Sequence, residues 1–291
     1  DRLLKPEQYT ALGRDDAPGE TPTVFGLAPT FPKKIDGGHP QIGPDFYEAF
    51  THTPNYSVLL AEFAKKAIVA EELGKHAAPD LLWVGFSQID HAGHLWGPDS
   101  HEIMDSLIDL DRVLADLLTY LDQQVGKGRY TVVLTADHGI APLPERITAL
   151  NRDIPAGRVN LKAFDEAVIG ALDAAFGKQT DPLRWVFRDN SGYHLPPAAL
   201  AARGADLAAA RAVVKRTLLA RPEVAKVYTH EDFVSLQPLD PIGEAMRLSY
   251  HLDRSPDVVF VTKPYFFDRT AGVTHGTPYN YDTHVPLLWY G

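Results

Sequence analysis

Apolar and polar positions alternate along the chain in a way that separates helices from strands. Between 55 and 73, Leu59, Phe63, Ala67 and Ala70 recur at helical spacing, and Gly74 is placed to cap the C-terminus. The run LLWVGF (81–86) is short, apolar and bounded by Pro79-Asp80 and Ser87, the pattern of a strand buried on both faces. A polar loop over 87–100 is expected next. Asp99 as N-cap, with Glu102 three residues on, then opens a helix whose stripe is Ile103, Leu107, Leu110, Leu114, Leu117 and Leu121, ending near Gln124 before Gly126. YTVVLT (130–135) predicts a second buried strand, which runs directly into Ala136-Asp137-His138-Gly139.

Strand, loop, helix, strand, with polar clusters after both strands, is the order of an open α/β sheet whose chemistry lies at its carboxyl edge. Residues 1–50, rich in Pro, Gly and charge, read as an irregular arm. From 149 to 254 the texture changes: helices are expected near 159–176 and 205–220, and a strand near 223–228. Strand character returns at 257–263 and 285–290, where Pro286 marks a strand start or an edge. The expected division is therefore an α/β core over 1–148 and 255–291, a mixed sheet flanked by helices, with an inserted α+β cap over 149–254.

Composition narrows the chemistry. The 291 residues are 45% hydrophobic and 23% charged, enough to bury a sizeable core. Lys and Arg number 28 against 38 Asp and Glu, a net charge of −10, with no basic cluster dense enough for a nucleic-acid groove. Cysteine is absent, so thiolate metal sites, disulfides and thiol nucleophiles are excluded, and any metal must sit on His and carboxylate. No apolar run approaches the roughly 20 residues of a membrane helix.

Three clusters could do that. Asp90 and His94 follow the first strand, with Gly93 between them to allow a tight turn. Asp137 and His138 end the second strand, with Gly139 to turn the chain so that both can face one ion. His284 precedes the last strand, which must then run antiparallel to the second or be reached by a long loop. Each alone has a plainer reading: a polar-loop ion pair, a helix-capping Asp, a hydrogen-bonded loop histidine. Together they form an N/O ligand set suited to zinc, with manganese or iron as alternatives. His91, His101 and His275 could orient such ligands through hydrogen bonds or simply be loop histidines.

SQIDHAGHLWGPDS, LTADHG and THGTPYNYDTHVPLLWYG resemble the three C-terminal metal-site motifs of the alkaline phosphatase superfamily. The resemblance is greatest to the monomeric bacterial alkaline phosphatases grouped with the type I phosphodiesterase and nucleotide pyrophosphatase family. It runs from the Tyr56 helix to Gly291. It implies a two-zinc phosphoric ester hydrolase, periplasmic or secreted, with Asp90, His94 and His284 on one zinc and Asp137 and His138 on the other. It also implies a Thr or Ser nucleophile, forming a covalent phosphoenzyme, and a further Asp, all upstream of the matching helix. No catalytic nucleophile is assigned in this chain, which reads as an inactive fragment of such an enzyme with a small phosphate ester as its substrate. The alternatives are a phosphodiesterase or nucleotide pyrophosphatase, whose metal motifs are the same, or a non-catalytic metal-binding remnant. A sheet lacking its first strand leaves an open edge, which predicts self-association.

Overall fold

A computed structural model describes residues 3–5, 7–9, 13–178, 184–189, 192–235 and 237–291. In chain order its elements are α1 (Pro44–Thr51), α2 (Pro54–Ala70), α3 (Gln88–Trp96), α4 (His101–Leu121), β1 (Val132–Thr135), α5 (Pro144–Leu150), β2 (Gly157–Arg158), α6 (Leu161–Phe176), β3 (Phe187–Arg188) and β4 (Gly192–His194). There follow α7 (Pro197–Ala201), α8 (Leu207–Leu219), β5 (Val224–Thr229), α9 (His230–Val234), α10 (Pro241–Leu248), β6 (Val258–Thr262), β7 (Phe266–Phe267), α11 (Asn280–Thr283) and β8 (Leu287–Tyr290). They divide into two compact units. The first is Asp1–Ile154, Arg269–Gly276 and Tyr281–Gly291; the second is Pro155–Asp268 with Thr277–Asn280. No helix among the described residues is long and apolar enough to cross a membrane.

In the first unit, the Ser100 side chain accepts the Ile103 N–H and so caps α4, one residue later than the expected Asp99. The buried face of α4 is partly polar: His101, Glu102, Asp105 and Ser106 precede Val113 and Leu117, whereas Leu107 is exposed. α2 packs on α4 and buries the small Ser57, Ala61 and Ala64 together with Ile68. That is not the expected face, for Leu59 and Phe63 are exposed. Small residues let two helix backbones approach closely, and that contact outweighed the larger apolar stripe. The expected irregular arm over 1–50 ends in a helix, α1, and is ordered by burial: Leu27 joins Ala49, Ala92, Leu95, Trp96 and Ile103 in one core.

The strands of this unit depart further from expectation. β1 pairs antiparallel with β8, Val132 opposite Tyr290 through Thr135 opposite Leu287, in a two-stranded sheet. The segment 81–86 is extended but joins no sheet, and Leu81 and Trp83 are 87% and 84% exposed. β1, expected to be buried, is largely exposed, and so is β8. Two strands have too little surface to cover their own faces, so apolar sequence suited to a sheet interior stands open here.

The second unit is a four-stranded antiparallel sheet in the order β3-β4-β6-β5. β6 shows why its sequence reads as an unbroken apolar run. Val258 and Phe260 face a core shared with α6 and α8, built on Phe164, Leu172, Val214 and Leu218, while Val259 and Val261 face Tyr228 and Phe233 on the other side. This corrects the expected division: 257–263 was read as core, but it is the strand that joins β4 to β5, and the unit runs from Pro155 to Asp268 instead of from 149 to 254. The expected helices and the strand near 223–228 are present as α6, α8 and β5.

Candidate metal centre

Asp90 and His94 lie on a helix, α3, where a loop was expected. Four residues of spacing places them on one face, one turn apart. Gly93 serves close packing instead of a turn, since a Cβ there would stand 3.1 Å from Ile140 Cδ1, just beyond β1. The helix ends at Gly97, whose φ of +78° suits glycine and whose N–H bonds to the Gly93 carbonyl at 2.9 Å.

β1 delivers Asp137 and His138 at its carboxyl end. There the Gly139 N–H donates to the Asp282 carbonyl at 2.7 Å, and a Cβ at Gly139 would fall 2.3 Å from the Tyr281 carbonyl oxygen. A third segment approaches through Gly272 and Val273. Gly272 N–H bonds to the Gly19 carbonyl (2.7 Å) and Val273 N–H to the His94 carbonyl (3.0 Å), while His94 Nδ1 donates to the Val273 carbonyl (2.9 Å). The main chain of 272–273 is thereby clamped to the end of α3, and His275 follows two residues on.

These segments converge on one oxygen. Asp90 Oδ1 lies 3.4 Å from His94 Nε2, 3.4 Å from His275 Nε2 and 3.7 Å from His138 Nε2. It is buried and has no hydrogen-bond partner. The separations are too long for good hydrogen bonds, yet ligand atoms about 2.0–2.1 Å from a tetrahedral zinc would stand roughly 3.3 Å apart. Among the described residues, Asp90, His94 and His275 are the group whose ligand atoms all lie within 4.8 Å of one another. An orphaned carboxylate oxygen ringed by imidazole nitrogens at these distances fits a bound cation.

The tautomers agree. With Nδ1 of His94 donating to Val273 and Nδ1 of His138 lying 2.9 Å from the Gly139 carbonyl, the tautomer these contacts select leaves each Nε2 as the lone-pair nitrogen, facing Asp90 Oδ1. Burial lowers the pKa of His275, and the adjacent His138, stacked on it at 3.3 Å between ring centroids, lowers it further. Both effects favour the neutral imidazole that a metal needs. Asp137 stands apart from this enclosure: its side chain is 90% exposed and its Oδ2 lies 3.8 Å from His138 Nε2.

Of the five expected ligands, the structure brings Asp90, His94 and His138 together and leaves Asp137 at the rim, and the further imidazole in the cluster is that of His275. β8 does run antiparallel to β1, but His284 at its start is exposed and lies outside the cluster, whereas His275 is in it. Strand proximity was a poor guide, because the segment 281–282 is held by its main chain against Gly139. One sequence signal for His275 existed: like His138, it is followed by glycine. The other two orienting candidates have different surroundings. His101 stacks on Tyr9 and bonds the Gly13 carbonyl in the arm, and His91 packs against His52 and Tyr56. Sequence reasoning also passed over Glu20, beside the clamp at Gly19. Its pKa is raised to about 8 by burial first and then by Glu102, with Lys33 opposing.

The model of the type I phosphodiesterase / nucleotide pyrophosphatase family matches residues 19–278. A Myroides odoratus protein described as a calcium-transporting ATPase is 31% identical over 98% of this chain and 52% of its own length. Alkaline phosphatase PafA of Elizabethkingia meningoseptica is 29% identical over 99% of this chain and 52% of its own. The crystal structure of wild-type PafA superposes with a TM-score of 0.88 at 28% identity, over 100% of this chain and 54% of that one. The fold here is thus an alkaline phosphatase-like α/β fold. The chain spans about half the length of the curated relatives it matches.

Proposed function

Because the chain belongs to the type I phosphodiesterase / nucleotide pyrophosphatase family within the alkaline phosphatase superfamily, we propose that it is the metal-binding part of a longer phosphoric ester hydrolase acting on phosphate monoesters. The observation that carries this reading is the convergence of three imidazole nitrogens on the orphaned Asp90 Oδ1. Asp90, His94 and His275 would hold one zinc, and Asp137 with His138 would contribute to a second. Manganese or iron would suit the same N/O donors less well. When bound, such a pair neutralises charge on the phosphoryl oxygens and lowers the pKa of an oxygen nucleophile.

The chain's own residues set up that chemistry. The carbonyls of Val273 and Gly139 fix the His94 and His138 tautomers, and burial lowers the pKa of His275, which favours its neutral form. Asp90 supplies a buried carboxylate oxygen, Oδ1, at the centre of the imidazoles. Thr135, a hydroxyl near this edge, is turned onto the Ala136 carbonyl and is not offered as a nucleophile. In this reading the nucleophile, which would form a covalent phosphoenzyme, and the remaining second-site ligand belong to the part of the relatives' length that this chain does not span. The chain alone is then inactive toward esters. A periplasmic or secreted location accompanies the reading.

Two relatives named alkaline phosphatases, PafA and the Synechococcus elongatus PhoV, support the monoester. The family model's own description favours diester or pyrophosphate cleavage as the second reading. Zinc titration of the chelator-stripped chain should give about one tight site, and binding that survives Asp90→Asn combined with His94→Ala would sink the assignment. The product of the whole reading frame containing this chain should hydrolyse p-nitrophenyl phosphate faster than bis(p-nitrophenyl) phosphate. The reverse order would select the diesterase.

A further inference from the structure

The irregular arm passes the metal centre at residues 19–21, where main-chain bonds hold it on both sides of one side chain. The Gly19 carbonyl accepts the Gly272 N–H at 2.7 Å, and the Thr21 N–H donates to the Leu95 carbonyl at 2.8 Å. The first bond ties the arm to the segment that leads to His275, and the second ties it to α3 one residue past His94. Glu20 stands between them, so a force on its side chain is felt at both.

The surroundings of that carboxyl are hostile to a charge. Glu20 Oε2 is buried and has no hydrogen-bond partner among the described residues. Glu102 repels it from α4, itself almost fully buried and paired with Lys33 at 2.8 Å, and Asp15 repels it from the arm, 3.5 Å from His101. Lys33 is further committed to the Ala28 carbonyl at 2.6 Å and to the face of Trp96. Towards the surface, Glu20 lines a small hollow with Trp96, Asp99 and Arg146, and the last two pair with each other at 3.0 Å. The Glu145 carboxylate fills the space beside Gly19 where a Cβ would stand. Five carboxyls thus face two cations and His101, and each cation is already engaged by a carboxylate other than Glu20. A neutral carboxyl suits this place and an ionised one does not.

We infer that Glu20 is a latch on the metal centre: protonated, it lets 19–21 lie against 272–273 and the end of α3, and ionised, it drives that stretch outward and frees the loop that carries His275. Opening puts the carboxyl into water and releases its proton. The closed form holds that proton up to a pH of about 8, against 4.5 for an ordinary glutamate. Opening therefore becomes easier as pH rises between these values, by at most about tenfold per pH unit, and levels off above them. The latch would regulate zinc exchange, and that step rests on the proposed zinc ligands.

Hydrogen exchange of the chelator-stripped chain tests the latch without metal. Opening at the Gly272 and Thr21 amides, corrected for intrinsic exchange, should rise at least about tenfold from pH 6 to pH 8, and Glu20→Gln should abolish the rise. Glu102→Gln, which relieves the repulsion, should make the rise level off at a lower pH. The same pH dependence in the native and Glu20→Gln chains overturns the latch. So does an equal rise at the Val113 amide within α4, because the charge is then relieved by unfolding of the whole unit. The rate of zinc release to a chelator, native relative to Glu20→Gln, should climb over the same range. A flat ratio while the amides open overturns the link to the metal centre. If neither chain binds zinc, the functional reading fails and the zinc step falls with it, while the amides still decide the latch.

Discussion

At the scale of single residues, the proposed metal centre would be a competition between protons and a cation for three imidazoles around one carboxylate oxygen. His275 is the sharpest case, since it stands with Asp90 and His94 where His284 was expected. His275→Ala should weaken zinc binding by about a hundredfold or more, beyond what loss of an outer hydrogen-bond partner costs, whereas His284→Ala should leave affinity within about twofold of the native chain. Calorimetric titration of both variants decides between them. Glu20 gives a second test. Its pKa rises from 4.5 to about 8 on folding, so between these values the folded chain binds the extra proton and stability falls as pH rises. Glu20→Gln should therefore raise the unfolding temperature at pH 9 and change it little at pH 4.5. Equal shifts at both pH values would show that the effect is not titration of this carboxyl.

At the scale of elements, the site is held by close backbone contacts that only glycine allows. Gly272 has φ of +68°, and a Cβ there would lie 2.1 Å from the His94 carbonyl oxygen, the acceptor that clamps Val273. Gly272→Ala must strain the backbone and push 272–275 from the end of α3. We expect a loss of about 1–3 kcal/mol in stability together with weaker zinc binding, read by denaturant melts and titration. By contrast, Ser100→Ala removes the α4 cap and should cost about 1 kcal/mol while leaving the zinc affinity of the folded chain intact. α3 itself teaches the same lesson, for Asp90 and His94 approach to 3.4 Å from one face of a helix where a loop was expected. Four-residue spacing fits a helical turn better than the loop to which the polar sequence pointed.

At the scale of the whole molecule, the two units have separate cores. Phe164 is fully buried among Val168, Leu172, Tyr193 and Leu218 in the second unit, and the metal ligands all belong to the first. Phe164→Ala should destabilise the second unit by about 3–5 kcal/mol and leave zinc affinity unchanged. Scanning calorimetry with and without zinc would show this as a fall in one transition while the zinc-stabilised one stays in place. A single transition shifting as a whole would mean that the units melt together. The open faces of 81–86, β1 and β8 add a consequence for handling the isolated chain. So much exposed apolar strand favours association, and sedimentation velocity should show species larger than a monomer as concentration rises.

The sequence by itself determined which side chain types could carry the chemistry and which segments can be helix or strand. Local spacing is enough to place Asp90 beside His94, to end a strand at Asp137-His138, and to mark α6, α8 and β5, because those relations are set within a few residues of backbone geometry. Only the tertiary structure decided what lies across a gap in sequence. It set His275 beside Asp90 and His94, because a clamp between Gly272-Val273 and the end of α3 fixes a loop some 180 residues away from its partner. It assigned β6 to the second unit, because an apolar run covered on both faces looks alike in any sheet. It left 81–86 open, because burial depends on what packs against a strand, and no pattern within that strand can supply it.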